Sequence, residues 1–325
     1  MKILKLLAIS CMSAAIVAVT VFAFGGNNFL YDWWQLHNYS PPSSIATLVS
    51  DTTMTPYAKK MFYLNHPELD GSEEFNKQCP AGGEKTIVLG CYHSKQAGIF
   101  LYHVNDKELY GVEQVTAAHE MLHAAYDRLG KGDKDEVDAM LQKYYDNDLH
   151  DPKVQAEIAD YKISEPNDVV NEMHSIFATE ITDLPGPLDA YYQRYFTDRS
   201  KVTGFANNYR SAFTKREAVI KNYDTQLKSL KSTINSDESE LQTDLSQIHD
   251  RQAQLDAERA SGDNVAYNSG VPGYNDLVSR YNSLVDDLRS QIARYNVIVA
   301  KRNAIALQEN QLARELNSNA QPISQ

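Results

Sequence analysis

Apolar positions along this chain recur mostly at helical spacing, with one interval of strand-like pattern just past the middle of the first half. From residue 110 onward, Val112, Val115, Ala118, Met121, Leu122 and Ala125 fall on one helical face, and Gly130 stops the run. The same spacing predicts helices over 134–147, 152–163 and 167–181. The breaker Leu184-Pro185-Gly186-Pro187 closes the last of these, and a short helix over 189–196 follows it. Another short helix is expected over 55–66. Upstream of the motif-bearing region, 86–92 and 98–104 are rich in β-branched and aromatic residues and bounded by turn formers. Their close separation predicts a hairpin.

The two ends differ from this middle. Residues 6–24 carry no charge over 19 positions, close to the ~20 needed for a bilayer-spanning helix. Lys2 and Lys5 precede the run, which predicts a cytoplasmic N-terminus and an extracytoplasmic remainder. The bulky end of the run favours an uncleaved anchor over a cleaved signal segment, whose removal would leave a secreted chain. Residues 26–54, with Pro41-Pro42 and several serines, read as a spacer. Tyr31, Trp33 and Trp34 would then sit near the membrane surface. From about 205 the chain nearly loses Gly and Pro, apart from a turn-rich connector over 260–273. Phe213, Ile220, Tyr223 and Leu227 begin one apolar seam, and Leu277, Tyr281, Leu284 and Leu288 begin another. Two seams joined by a turn predict an antiparallel coiled-coil hairpin, suited to self-association or a protein partner. Gln291, Arg302 and Glu309 interrupt the second seam and are expected to set its register. The resulting division is 1–25 anchor, 26–54 spacer, 55–204 compact domain, 205–318 hairpin and 319–325 disordered tail. The fold class is α+β, mostly α, with a short β-sheet.

Charge and cysteine content narrow the chemistry. The formal net charge is −12, without the basic excess of a nucleic-acid binder. Cys79 and Cys91 flank Gly82-Gly83, and in an exported chain the pair is expected to form a disulfide.

One motif carries specific chemistry. His119-Glu120-Met121-Leu122-His123 is H-E-x-x-H within the expected helix. Residues i and i+4 share a helical face, so both imidazoles can reach one Zn²⁺, and Glu120 can act as general base on a water there. The sequence after His123 is AAYDRLG, which lacks the third histidine of a metzincin. Glu172, Glu180 and His174, all within the 167–181 segment, are the candidates for a third ligand.

In these residues the chain resembles the gluzincin metallopeptidases, which pair H-E-x-x-H with a glutamate on a later helix, often preceded by Asn. Asn171-Glu172 fits that pattern. The resemblance implies a small zincin-like domain with Zn²⁺ held by His119, His123 and Glu172. It also implies Ser175 or His174 behind the ligands, and Tyr191, Tyr192 or Tyr195 as oxyanion stabiliser. The acidic residue often found one turn after the ligand is replaced here by Ile176. By the same resemblance the activity is hydrolysis of peptide or protein substrates, with the substrate strand docking along 99–102. The alternative is a non-catalytic envelope scaffold that uses the hairpin and carries a structural or degenerate zinc domain.

Overall fold

A computed structural model describes residues 26–80, 87–94 and 97–319. The chain is α+β and mostly helical. It divides into one unit formed by Met1–Ala212 with Leu312–Gln325, and a second formed by Phe213–Gln311.

Among the described residues, the first unit opens with two helices where a spacer was expected: α1 (Gly26–Asn38) and α2 (Ser43–Asp51). The correction has a simple cause. Ile45, Leu48 and Val49 stand at i, i+3 and i+4 and are buried in the main core. Helix α3 (Pro56–Leu64) starts with Thr55 as N-cap, its side chain accepting from the Ala58 N–H, and with Pro at its first position. Strand β1 (Glu68–Asp70), helix α4 (Ser72–Gln78), and strands β2 (Gly90–His93) and β3 (Gly98–Tyr102) follow.

The sheet order is β1-β3-β2, with β1 parallel and β2 antiparallel to β3. The expected hairpin is therefore present, with Cys91 opposite Phe100. The docking edge moves, however. Strand β3 is central, and β2 is the edge strand on its side of the sheet. The continuous apolar run Ile99-Phe100-Leu101 is buried, as a strand flanked on both sides requires.

Five helices follow: α5 (Val112–Asp127), α6 (Lys131–Asn147), α7 (Pro152–Ser164), α8 (Val169–Glu180) and α9 (Gly186–Tyr192). Each overlaps an expected helix. Helix α5 packs chiefly on α8. Ala117, Ala118, Ala124 and Ala125 are almost wholly buried and let the neighbouring backbones approach.

The entry into α5 depends on Gly111, whose φ of 114° favours glycine. A Cβ added there would lie 2.7 Å from the Phe205 carbonyl oxygen, a backbone atom. Gly111→Ala is therefore expected to destabilise the first unit by about 3 kcal/mol, measurable as a lowered denaturation midpoint.

Asp32 ties α1 to the end of α5. Its carboxylate accepts from Arg128 at 3.0 Å and lies 3.2 Å from the Lys60 ammonium. Burial raises its pKa, but the two cations outweigh that and hold it below the ordinary carboxylate value. A depressed carboxylate stabilises the fold above its unfolded pKa and loses that contribution as the pH falls. Asp32→Asn should thus cost about 1–3 kcal/mol at neutral pH. The gap from wild type should narrow below about pH 4, as read from unfolding curves at several pH values.

Two long helices complete the chain: α10 (Arg199–Ala260, 62 residues) and α11 (Asn264–Leu316, 53 residues). The antiparallel hairpin is present, but its turn is shorter than the expected 260–273 connector. Residues from Asn264 onward are helical, with Pro272 inside the helix. Within Phe213–Gln311 two of the three polar seam positions find partners on the facing arm. Gln291 donates to Asp237 at 2.6 Å and Arg302 to Asp224 at 3.0 Å, and Arg280, outside that set, forks onto Asp244. One member of each pair climbs in number as the other falls, as antiparallel arms require.

The cell-membrane localisation is corrected. Among the described residues no helix is long and apolar enough to cross a membrane. Those with sufficient length, α10 and α11, carry charges throughout. The 6–24 run and residues 320–325 lie outside the described residues.

Candidate functional site

Helix α5 is buried on nearly every side, which is unusual for a helix carrying four polar side chains in its interior. Gln114 is 3.2 Å from Asp51, and the Thr116 hydroxyl donates to the Val112 carbonyl. Glu120 and His123 are buried near the helix centre without such local partners on their own element. Their complement comes from α8.

Glu172 sits in the first turn of α8, where the helix N-terminus favours negative charge. It is only 6% exposed. Its Oε2 is 3.4 Å from His119 Nε2, and its Oε1 is 3.4 Å from His123 Nε2. The two rings are 4.7 Å apart and set edge to face. Ligating atoms of the three residues all fall within 4.8 Å of one another. Glu172 Oε2 is buried without a hydrogen bond of acceptable geometry, although it faces an imidazole. Burial pushes the Glu172 carboxyl up, but the facing His123 and His119 overcome this and hold it down.

Glu120 lies beside this trio. Burial raises its pKa despite the opposing pull of His123 and His119. Its side chain lies against the backbone of β2: a Cβ added at Gly90 would be 2.7 Å from Glu120 Oε1 and 2.5 Å from Thr116 Cγ2. Glycine at 90 is thus what lets the edge strand approach the carboxylate. Behind His123, the Ser175 hydroxyl is 3.4 Å from Nδ1.

A cavity of about 710 Å³ opens over these groups. All four residues of β2 line it, with His119, Glu120, His123 and Glu172 on its floor. Cys79 and Cys91, joined by a disulfide with a Cα–Cα distance of 6.0 Å, flank the same wall. No family model, curated protein or solved structure matches the chain.

The other ligand candidates are engaged by other partners. His174 is fully buried and is 3.0 Å from the Tyr191 hydroxyl. Burial, reinforced by the neighbouring imidazoles, lowers its pKa to about 3, so it stays neutral. Glu180 lines the cavity but forms an ion pair with Arg210. The three tyrosines are not in the cavity lining. Tyr192 donates to the His174 carbonyl, while Tyr191 and Tyr195 share a hydrogen bond of 2.9 Å, so together they enclose His174. The phenols that do line the cavity are Tyr92, Tyr161 and, from the first turns of α10, Tyr209. Burial raises the Tyr209 pKa and keeps that phenol a donor. Its position in a helix with coiled-coil spacing concealed it in the sequence.

Proposed function

We propose that this chain is a zinc-dependent peptidase whose first unit is zincin-like. The observation that carries the reading is the meeting of His119, His123 and Glu172 beside buried Glu120 under an edge strand. The donor set fits zinc: two imidazoles and a carboxylate are its usual catalytic ligands, leaving one position open. The groups are also close together: each imidazole Nε2 stands 3.4 Å from a different oxygen of Glu172, and ligating atoms of all three residues fall within 4.8 Å of one another.

Zinc held there would supply Lewis acidity, lowering the pKa of a water toward about 7 and polarising a carbonyl. The chain's own groups do the remainder. Glu120 accepts the proton of the attacking water and passes it to the leaving amine. Strand β2 offers its unpaired edge to an extended peptide by strand addition, with Gly90 keeping that edge close to Glu120. Tyr209 donates a hydrogen bond to the oxygen on which charge develops.

The test is hydrolysis of a mixed set of quenched peptides by the full-length chain. Activity should vanish on chelation and return with zinc. Zinc bound at one equivalent without hydrolysis of any peptide would instead favour a structural ion and the scaffold reading.

A further inference from the structure

Three side chains with sulfur and imidazole chemistry stand on the cavity wall and take no part in the hydrolysis described above. Cys79 and Cys91, joined by the disulfide, line the cavity together with His93. The bond thus borders the space that a small solute enters, although most of Cys79 is packed with Phe75 and Phe100. Cys91 and His93 stand two positions apart on β2, so their side chains leave the strand on one face. His93 Nε2 is 3.4 Å from Cys91 Sγ. Its ring is set edge to face with Phe100, with centroids 5.4 Å apart. An imidazole so placed is aimed at the sulfur that leaves when the S–S bond is cut.

A second observation concerns what the bond holds. Strand β2 has four residues and, among the described residues, pairs only with β3. The disulfide ties it to Cys79 at the C-terminal end of α4. Helix α4 is itself seated against β1 and β3, so it serves as a fixed post. Gly90, the neighbour of Cys91, is where β2 approaches Glu120 Oε1 and Thr116. One covalent bond therefore fixes the strand a single residue away from the contact that confines the Glu120 carboxylate. A short edge strand with few backbone hydrogen bonds opens locally at low free energy once such a tether is lost.

We propose that Cys79–Cys91 is a thiol-exchange site, which clamps β2 beside Glu120 and releases it when a small thiol reduces the bond. The incoming thiolate attacks Cys79 Sγ and the S–S bond breaks. The electron pair stays on Cys91 Sγ, which takes a proton from His93 Nε2, and His93 recovers its proton from solvent. A second small thiolate then attacks the first small molecule's sulfur in the mixed disulfide. Cys79 leaves as a thiolate and is protonated by solvent. Two small thiols become one small disulfide, and the protein gains two thiol groups. A sulfur leaves faster the better its thiolate is stabilised, which is the task of the imidazole. With β2 released, Gly90 no longer confines Glu120, and hydrolysis declines. That last consequence rests on the peptidase reading; the exchange rests on the three side chains alone.

The experiment treats the full-length, zinc-loaded protein with millimolar reduced glutathione and follows alkylation of Cys79 and Cys91 by peptide mass, which keeps them apart from Cys11. The bond should open in the folded protein, and about ten-fold or more slowly in His93→Gln. Amide hydrogen exchange over 87–93 should speed up about ten-fold or more on reduction, while α5 and α8 keep their protection. Hydrolysis should fall by a similar factor with one zinc retained. The double variant Cys79→Ala/Cys91→Ala should start at that lower activity and ignore glutathione, which separates release of the clamp from capture of zinc by the thiol. A bond that opens only as α5 and α8 unfold would be a structural staple and would overturn the proposal. So would equal opening rates in wild type and His93→Gln, or unchanged exchange over 87–93 after reduction. A second zinc equivalent taken up on reduction would also overturn it. Ligating atoms of Cys79, Cys91 and His93 lie within 4.8 Å of one another, and a metal held there would replace one clamp by another. If neither form cleaves any peptide, the peptidase reading fails, and the alkylation and exchange results still decide the clamp.

Discussion

Glu120→Gln is expected to lower kcat for peptide hydrolysis by about 10³-fold or more while zinc stays bound at one equivalent. The side chain is nearly isosteric, so its place between the β2 backbone and α5 survives. What disappears is the ability to take a proton. Glu120 is buried, and its carboxylate adds unfavourable charge beside Glu172. Removing that charge relieves repulsion on the ligand and should leave metal affinity intact or improved. The loss should therefore appear in kcat with little change in KM, as expected for a group that acts in the transition state. Activity within ten-fold of wild type would mean that another group is the base. Gly90→Ala probes the same position from the opposite side, because the new methyl must displace the Glu120 carboxylate or Thr116.

Glu172→Ala should release the metal. The expected result is loss of the single zinc on dialysis, measured by elemental analysis, with activity falling in parallel. Loss of a supporting group behind a ligand already costs 10–100-fold in affinity, and loss of the ligand itself should exceed that. Two controls come from the geometry. His174→Gln and Glu180→Gln should keep one zinc, because His174 faces Tyr191 and Glu180 faces Arg210. His174→Gln should still lower stability, since it breaks the contact that the buried tyrosines enclose. Zinc retained in Glu172→Ala but lost in either control would relocate the third ligand.

The parts of this protein that could be read from its sequence are those with a period. Helix α5 and its five-residue motif follow from spacing alone, and so do the two long arms. The ligand pairing needed more than spacing, because Glu172 and Glu180 lie on one short helix. Only the fold reveals that α10 brings Arg210 to Glu180. Strand β1 has three residues, too few to show alternation, and it joins the sheet through β3. The edge strand was misread. Docking along 99–102 came from the resemblance alone, and the continuous apolar run 99–101 belongs to a central strand rather than an exposed edge. Tyr191, Tyr192 and Tyr195 show the same limit, since a sequence does not say which way a short helix turns its rings. In α2, the prolines and serines masked a helical triplet that was there to be found.

The polar pairs along the second unit constrain how the arms can change in length. Apolar contacts of a coiled coil are nearly repeated after a seven-residue slide, so an apolar seam alone tolerates misalignment. Asp224, Asp237 and Asp244 do not, because each meets one nitrogen-bearing partner at one level. A heptad inserted into one arm would offset every pair on one side of the insertion and leave fully buried Asp244 or its fellows facing the wrong residue. Insertions and deletions in this hairpin are therefore admissible only in matched positions on both arms, like rungs added to a ladder.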